Sequence, residues 1–291
     1  MITNMIHGFC MALADSVPGV SGGTIAFLMG FYDKFIGSVN DLISGTKHER
    51  ISAIKYLVKL GIGWLIGMGL AVSVLAAVFE KGIYYVSSLF IGFILFAVPV
   101  MIYEEKEHLK NAKNAAFILL GLVTVVSISI IGTSNTADTS NMNIGMFLYA
   151  LTAGIAAISA MVLPGISGST LLLTFGLYVP TVNAVKQLIN FDFSGLPLVI
   201  AIGTGVLAGI AVSVRIIKKS LEKYRGQTIY TVIGMMIGSL YAIVQGPTTL
   251  DIPQQAMSVQ TFHILPFSVG AILVAAMQTA KITSERKRSN I

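Results

Sequence analysis

Long apolar stretches separated by short polar ones dominate the pattern of this chain. Six plain stretches approach the roughly 20 residues that a helix needs to cross a hydrocarbon core; they cover residues 57–79, 87–103, 115–132, 197–216, 229–245 and 263–280. The polar stretches are short except at 36–54, 133–144 and 246–262. The pattern therefore predicts an all-α protein that crosses a membrane several times.

Two further apolar regions are interrupted by the same unusual motif. Residues 14–24 read Ala-Asp-Ser-Val-Pro-Gly-Val-Ser-Gly-Gly-Thr, and residues 160–170 read Ala-Met-Val-Leu-Pro-Gly-Ile-Ser-Gly-Ser-Thr. Three plain segments follow each copy, so the repeat unit is one motif region plus three helices. We expect a first repeat at 1–132, a linker at 133–144 and a second repeat at 145–291.

Composition supports the membrane assignment and narrows the function. The chain is 55% hydrophobic and 11% charged, whereas about a quarter of the residues in a soluble domain are charged. Its single cysteine, Cys10, excludes an internal disulfide, and its four histidines lack ligand spacing, so we expect no metal or other cofactor. The net charge of +6 is interpreted as basic loops that set orientation in the membrane, not as a nucleic-acid surface.

The basic residues of the loops indicate how the chain crosses the membrane. If each motif region enters and returns to the side from which it came, 17 basic residues face the cytoplasm and two, Lys81 and Lys186, face outside. If the second motif region instead crosses once as a broken helix, nine face inside and ten outside. Cytoplasmic loops carry an excess of Lys and Arg. The first arrangement is therefore favoured, with both termini in the cytoplasm.

This arrangement predicts two inverted-topology repeats. Each begins with a re-entrant, broken helical hairpin, at about 4–36 and 145–182, and continues with three transmembrane helices. Three crossings are an odd number, so the second repeat lies upside down relative to the first. The first hairpin is assigned to the cytoplasmic side by this symmetry, because residues 1–33 hold no basic residue. Broken helices that meet near the midplane are typical of many secondary transporters.

The repeated motif predicts an anion site suited to phosphate. Proline lacks an amide hydrogen and glycine frees the backbone, so each Pro-Gly pair is expected to end one half-helix. The serine that follows can cap a second half-helix, whose unpaired first N–H groups attract anions. The expected helix breaks are Pro18, Gly19, Pro164 and Gly165, and the expected phosphate-binding residues are Ser21, Gly22, Gly23, Thr24, Ser167, Gly168, Ser169 and Thr170.

The glycines have a second interpretation, because small residues also let membrane helices pack closely. Packing alone would not require Pro-Gly at the same place in both motifs, so the anion site is favoured there. Close packing is favoured for the glycines at 61, 63, 67, 69, 203, 205 and 209.

Asp15 is the one acid deep in an apolar segment, and Met161 takes its place in the second copy. An intramembrane carboxylate suggests a functional role, here the coupling of transport to a proton or cation. The alternative is that Asp15 braces its own hairpin near the interface. Tyr32 and Tyr178 also match between the copies, and either anchor the hairpin ends at the interface, which is favoured, or line a lipid path.

The paired motifs resemble those of the bacterial and archaeal polyprenyl-phosphate transporters, over essentially the whole chain. The resemblance implies a translocase of the bacterial plasma membrane that returns undecaprenyl phosphate from the outer to the inner leaflet, where the carrier lipid is reused for peptidoglycan and other envelope polymers. The implied partners are the polyprenyl phosphate lipid and the bilayer, and the oligomeric state stays open. The family's motif positions correspond to Asp15, Pro18, Gly19, Ser21, Gly22, Gly23 and Thr24, and to Pro164, Gly165, Ser167, Gly168 and Ser169.

Two other functions share parts of this pattern. Undecaprenyl-pyrophosphate phosphatases resemble it in their inverted repeats and Pro-Gly-x-Ser motif, but theirs carries an arginine beside the serine and partner glutamates. Here Gly22 and Gly168 follow the serines, and no glutamate lies within an apolar segment except near its ends, at Glu80 and Glu104. Phosphoryl transfer at this site would therefore lack a cation or metal ligand. A transporter of a small inorganic anion would use the same helix starts. The sequence favours a lipid translocase that is not an enzyme.

Overall fold

The computed structural model describes residues 2–16, 21–131, 137–139, 141–165, 167–249 and 254–289. All regular structure in this part of the chain is helical. The α-helices are α1 (Ile2–Asp15), α2 (Gly22–Leu28), α3 (Tyr32–Ser44), α4 (Lys47–Glu104), α5 (Ala116–Ile131), α6 (Ile144–Val162), α7 (Gly168–Thr174), α8 (Tyr178–Ile189), α9 (Leu196–Lys223), α10 (Arg225–Gln245) and α11 (Ile264–Ser289). Short 3-10 turns precede α5 and α9 and follow α10.

The protein is a multi-pass membrane protein. Within the described residues, seven helical stretches are long and apolar enough to cross a membrane: Lys47–Ala71, Gly82–Glu104, Lys113–Ile131, Ile144–Val162, Phe193–Lys223, Arg225–Thr248 and Ile264–Thr283. Six of them overlap the plain segments predicted from the sequence. The seventh is α6, the first arm of the second motif region. This arm is longer than the expected half-helix. A sharp bend of 107° separates α7 from the following helix, α8.

Helix α4 contains two of these spans and reverses direction between them. The backbone leaves helical geometry at Gly82, where φ is −140° and ψ is 23°. Ser44, just before α4, accepts a hydrogen bond from Arg215 near the end of α9, and Glu105, just after α4, pairs with Arg225, which follows the end of α9. Both ends of α4 therefore lie at the same end of the molecule, as expected for two antiparallel spans.

Ion pairs gather the basic regions of the chain at this one end, which we call the basic end. Arg225, the first residue of α10, donates to Glu105 after α4 at 2.6 Å and to Asp33 in α3 at 3.0 Å. Lys281 in α11 donates to Glu104 at 2.6 Å. Four regions that the loop charges assign to one side of the membrane are thus neighbours in space.

The first helix of each motif region packs closely on a later helix through small residues. A Cβ atom added to Gly63 of α4 would lie 1.9 Å from the carbonyl oxygen of Met5 in α1. One added to Gly205 of α9 would lie 2.2 Å from that of Leu151 in α6. The packing interpretation of these glycines is therefore confirmed for both, whereas a Cβ on Gly203 would meet nothing within 4 Å.

This difference gives a matched test of the α6–α9 contact. We expect Gly205→Val to destabilise the protein by about 1–3 kcal/mol, because extra atoms in a filled interface force the helices apart. Gly203→Val adds the same atoms to an open surface and should unfold like the wild type. Thermal unfolding of both purified variants in detergent checks this. Equal midpoints would contradict the described contact.

The last helix of each half of the chain packs against the other half. Helix α5 lies along α10, and α11 lies along α4. Gly121 of α5 closely approaches Thr231 of α10, and Gly270 of α11 closely approaches Leu89 of α4. The two halves are therefore interlocked, and the two motifs lie between them.

Candidate functional site

The second half of motif one begins with a capped helix. Ser21 is the N-cap of α2, with extended backbone angles of −127° and 140°. Its Oγ accepts a hydrogen bond from the N–H of Gly23 at 3.1 Å, and its carbonyl oxygen accepts one from the N–H of Thr24 at 2.9 Å. The expectation of a serine cap is confirmed at this position. The expectation that the N–H groups here are unpaired is wrong for motif one in this conformation.

The two motifs contact each other directly. The hydroxyl of Ser21 lies 3.0 Å from the carbonyl oxygen of Met161 and 3.1 Å from that of Leu163. It has one proton, so these two oxygens share a single donor. The N–H of Gly165 donates to Oγ1 of Thr24 at 3.1 Å. The last carbonyls of a helix have no partner within it, so motif one satisfies groups that the end of α6 leaves free. Motif one is thus a structural partner of motif two.

Tyr32 adds a third link between the motifs. Its side chain is only 3% exposed, and its hydroxyl donates to the carbonyl oxygen of Val162 at 3.1 Å. The favoured expectation that Tyr32 anchors a hairpin end at the interface is wrong, because the ring is buried at the motif contact. Tyr178, its counterpart, is 38% exposed and has no such link among the described residues.

Asp15 lies at the centre of motif one. One carboxylate oxygen accepts a hydrogen bond from the N–H of Gly22 at 2.6 Å, and the other accepts one from the indole Nε1–H of Trp64 at 3.0 Å. A carboxylate therefore already occupies the start of α2. The sequence reasoning missed Trp64. The available signal was that it is the only tryptophan in the chain, since a buried indole N–H needs an acceptor.

Motif two has a more open helix start. Ser167 is the N-cap of α7 but its side chain makes no capping bond; instead its hydroxyl lies 2.7 Å from that of Ser169. No described group accepts a hydrogen bond from the N–H groups of Gly168, Ser169 or Thr170. Ser169 and Thr170 are half-buried. Within the described residues, motif two therefore has three N–H groups with no acceptor, and that they bind a phosphate stays a prediction.

Two of the four expected helix-breaking residues lie within the described part of the chain. Pro18 and Gly19 lie outside the described residues, although α1 ends at Asp15 and α2 begins at Gly22. Pro164 is fully buried. Gly165 has φ of +93°, and a Cβ atom there would lie 2.7 Å from the backbone carbon of Met235 in α10. Only glycine fits this backbone conformation and this close approach.

Two cavities adjoin the motif contact. The first, of about 390 Å³, lies between α1, α3, α4 and α6 and is lined by Asp15, Trp64, Met161 and Val162 together with apolar residues. The second, of about 660 Å³, lies between α5, α9 and α10 and runs from Leu163 to polar residues near the basic end. Among the described residues, no cluster of three or more side chains suited to a metal ion is found.

The chain is similar to known proteins over most of its length. Over 254 residues the chain is 32% identical to a protein of Staphylococcus aureus (strain NCTC 8325 / PS 47) named polyprenyl-phosphate transporter, covering 85% of this chain and 88% of that protein. Over 260 residues it is 28% identical to a polyprenyl-phosphate transporter of Vibrio cholerae serotype O1 (strain ATCC 39315 / El Tor Inaba N16961), covering 86% and 80%. No solved structure matches the chain significantly.

A family model described as VCA0040-like, undecaprenyl phosphate translocase-like, matches residues 11–261. The match includes both motifs and nearly all of the helices that surround them. The relatives are named as transporters, not as enzymes. The chain therefore belongs to the undecaprenyl phosphate translocase-like family of membrane polyprenyl-phosphate transporters.

Proposed function

We propose that this protein moves a polyprenyl phosphate, undecaprenyl phosphate in bacteria, from the outer to the inner leaflet of the plasma membrane. The observation that carries the proposal is the direct contact between the two motifs, which brings serine hydroxyls and backbone N–H groups of both halves to one place. A phosphate that enters hydrocarbon unaided loses hydration worth on the order of tens of kcal/mol. Donors within the membrane replace part of that hydration.

We propose further that the two motif regions are inverted relative to each other. Supporting this, α1 packs on α4 with residue numbers rising together, since Met5 approaches Gly63 and Ala12 approaches Gly67. Helix α6 packs on α9 in the same parallel way. Because α4 starts at the basic end and α9 finishes there, α1 and α6 run in opposite directions. The basic end faces the cytoplasm in this proposal.

The headgroup site in this proposal alternates between the two sides of the membrane. In the described conformation the donors of motif two are open, whereas those of motif one are occupied by Asp15 and by its own serine. We infer that the phosphate binds the Ser167–Thr170 segment here, and that a second conformation opens the Ser21–Thr24 segment. The prenyl tail stays in the apolar cavities and the surrounding lipid. Coupling to a proton or cation through Asp15 stays a prediction.

The serines of motif two provide the direct test. We expect the double variant Ser167→Ala, Ser169→Ala to move a radiolabelled short-chain polyprenyl phosphate at least about tenfold more slowly, because hydrogen bonds to a charged group contribute about 1.5–3 kcal/mol each. Reconstituted liposomes measure this as the lipid fraction accessible to an added soluble phosphatase over time. Ser159→Ala is the matched control, because within the described part of the chain the hydroxyl of Ser159 bonds to Ile155 of its own helix alone.

Two further arms of this experiment separate the alternatives. Release of inorganic phosphate from a polyprenyl pyrophosphate, without added phosphatase, would indicate an enzyme. Uptake of radiolabelled inorganic phosphate into the liposomes would indicate an ion transporter. Unchanged lipid transport in the double serine variant would reject the phosphate site in motif two.

A further inference from the structure

The carboxylate of Asp15 is bound in the way that an anionic ligand would be. Its two oxygens accept from two different N–H donors, the backbone of Gly22 at 2.6 Å and the indole of Trp64 at 3.0 Å. Gly22 belongs to α2 and Trp64 to α4, so the carboxylate joins two elements as well as the end of α1. Two oxygens held by two converging N–H groups is also the geometry that suits a phosphate.

The cavity beside this carboxylate gives a ligand access to it. Asp15 and Trp64 line the cavity of about 390 Å³, whose far wall includes Met161 and Val162 of motif two. Asp15 is the only charged residue in that lining, and most of the other lining residues are apolar. A ligand that fits must combine an anionic group with an apolar chain, and a polyprenyl phosphate has both.

We propose that Asp15 is an internal anion that competes with the lipid phosphate for the N–H groups of Gly22 and Trp64, and that Trp64 is a phosphate-binding residue. This rests on the proposed function and adds a regulated step to it. Two anions cannot share the same two donors, so the phosphate displaces Asp15 when it binds motif one. The return of Asp15 then expels the phosphate.

The difference between the two motifs supports competition over simple bracing. A Cβ atom on Gly22 would lie 2.8 Å from a carboxylate oxygen of Asp15, and one on Gly168 would lie 3.3 Å from the Cβ of Met161. Asp15 and Met161 thus occupy equivalent positions, each beside the start of the second half-helix of its motif. Only Asp15 carries a charge. Among the described residues, the N–H donors of motif two have no acceptor, whereas those of motif one do. Asp15 therefore makes the affinity of motif one for the lipid phosphate different from that of motif two.

The single tryptophan makes displacement directly observable. The purified full-length protein is titrated with farnesyl phosphate and, separately, with farnesol, and the emission of Trp64 is recorded, since the chain contains no other tryptophan. We expect farnesyl phosphate to shift the emission because the indole exchanges its carboxylate partner for a phosphate, and farnesol to leave it unchanged. In Asp15→Asn, the dissociation constant for farnesyl phosphate should fall by about tenfold, because the competitor has lost its charge.

Calorimetric binding of the same two ligands separates this inference from the proposed function. If farnesyl phosphate binds and farnesol binds more weakly, but Trp64 emission is unchanged and Asp15→Asn binds like the wild type, the competition is rejected and the transport proposal stands. If farnesyl phosphate shows no preference over farnesol, both are rejected. Should Asp15→Asn fail to fold, the emission of the wild-type protein alone decides the question.

Discussion

Gly165→Ala should destabilise the protein more than the addition of a methyl group at any other position near the two motifs. The backbone there has φ of +93°, and the new Cβ would lie 2.7 Å from the backbone carbon and 2.8 Å from the carbonyl oxygen of Met235. Strained backbone of this kind costs about 1–3 kcal/mol. Overpacking against α10 costs a similar amount. Backbone atoms cannot rotate away as a flexible side chain can, so the two costs add.

The same substitution should also disconnect the motifs. The N–H of Gly165 donates to Thr24, so a shift of the motif two backbone away from α10 changes a buried contact with motif one. We expect Gly165→Ala to unfold at a lower temperature and to lose polyprenyl-phosphate transport in liposomes. Gly203→Ala adds a methyl group where nothing lies within 4 Å and should match the wild type in both assays. Equal behaviour of the two variants would mean that α10 does not pack on motif two as described.

The sequence was sufficient to predict that the two motifs belong together, because they are duplicated around identical Pro-Gly breaks, and the structure brings them into contact. It also predicted the serine cap at Ser21 and the six plain spans, since capping residues and apolar length act locally. The first arm of the second motif region was expected to be a half-helix, but α6 is long enough to cross a membrane. Its residues are apolar throughout, and a Pro-Gly pair marks where a helix ends but not how long it is.

The contacts between the motifs could not be predicted from the sequence. Ser21 was expected to offer its hydroxyl to a ligand, yet it bonds to carbonyl oxygens about 140 residues away. Tyr32 was assigned to the interface by its residue type, yet it is buried against Val162. Both outcomes depend on how two distant segments meet in space, which helical periodicity does not encode. Trp64 was missed for the same reason, since its partner Asp15 lies 49 residues earlier.

The opposite change to the loss of Asp15 is the gain of an acid in motif two. We expect Met161→Asp to decrease transport at least about tenfold, because a carboxylate beside Gly168 would accept hydrogen bonds from the N–H groups at the start of α7 and exclude the phosphate. The Cβ of Met161 already lies 3.3 Å from the position of a Cβ on Gly168, so the carboxylate can reach these donors. The liposome assay and farnesyl phosphate binding measure the effect.

Met161→Asn is the matched control for this prediction, since it has the same shape as aspartate and no charge. It removes the same apolar side chain, so any loss of packing against Gly168 is common to both variants. If Met161→Asn retains most of the transport and Met161→Asp does not, the effect belongs to the charge, and the open donors of motif two are where the phosphate binds. Equal loss in both would assign Met161 to packing alone. Unchanged transport in Met161→Asp would remove motif two from the phosphate site, because an anion that fills its donors should not leave them available to the lipid.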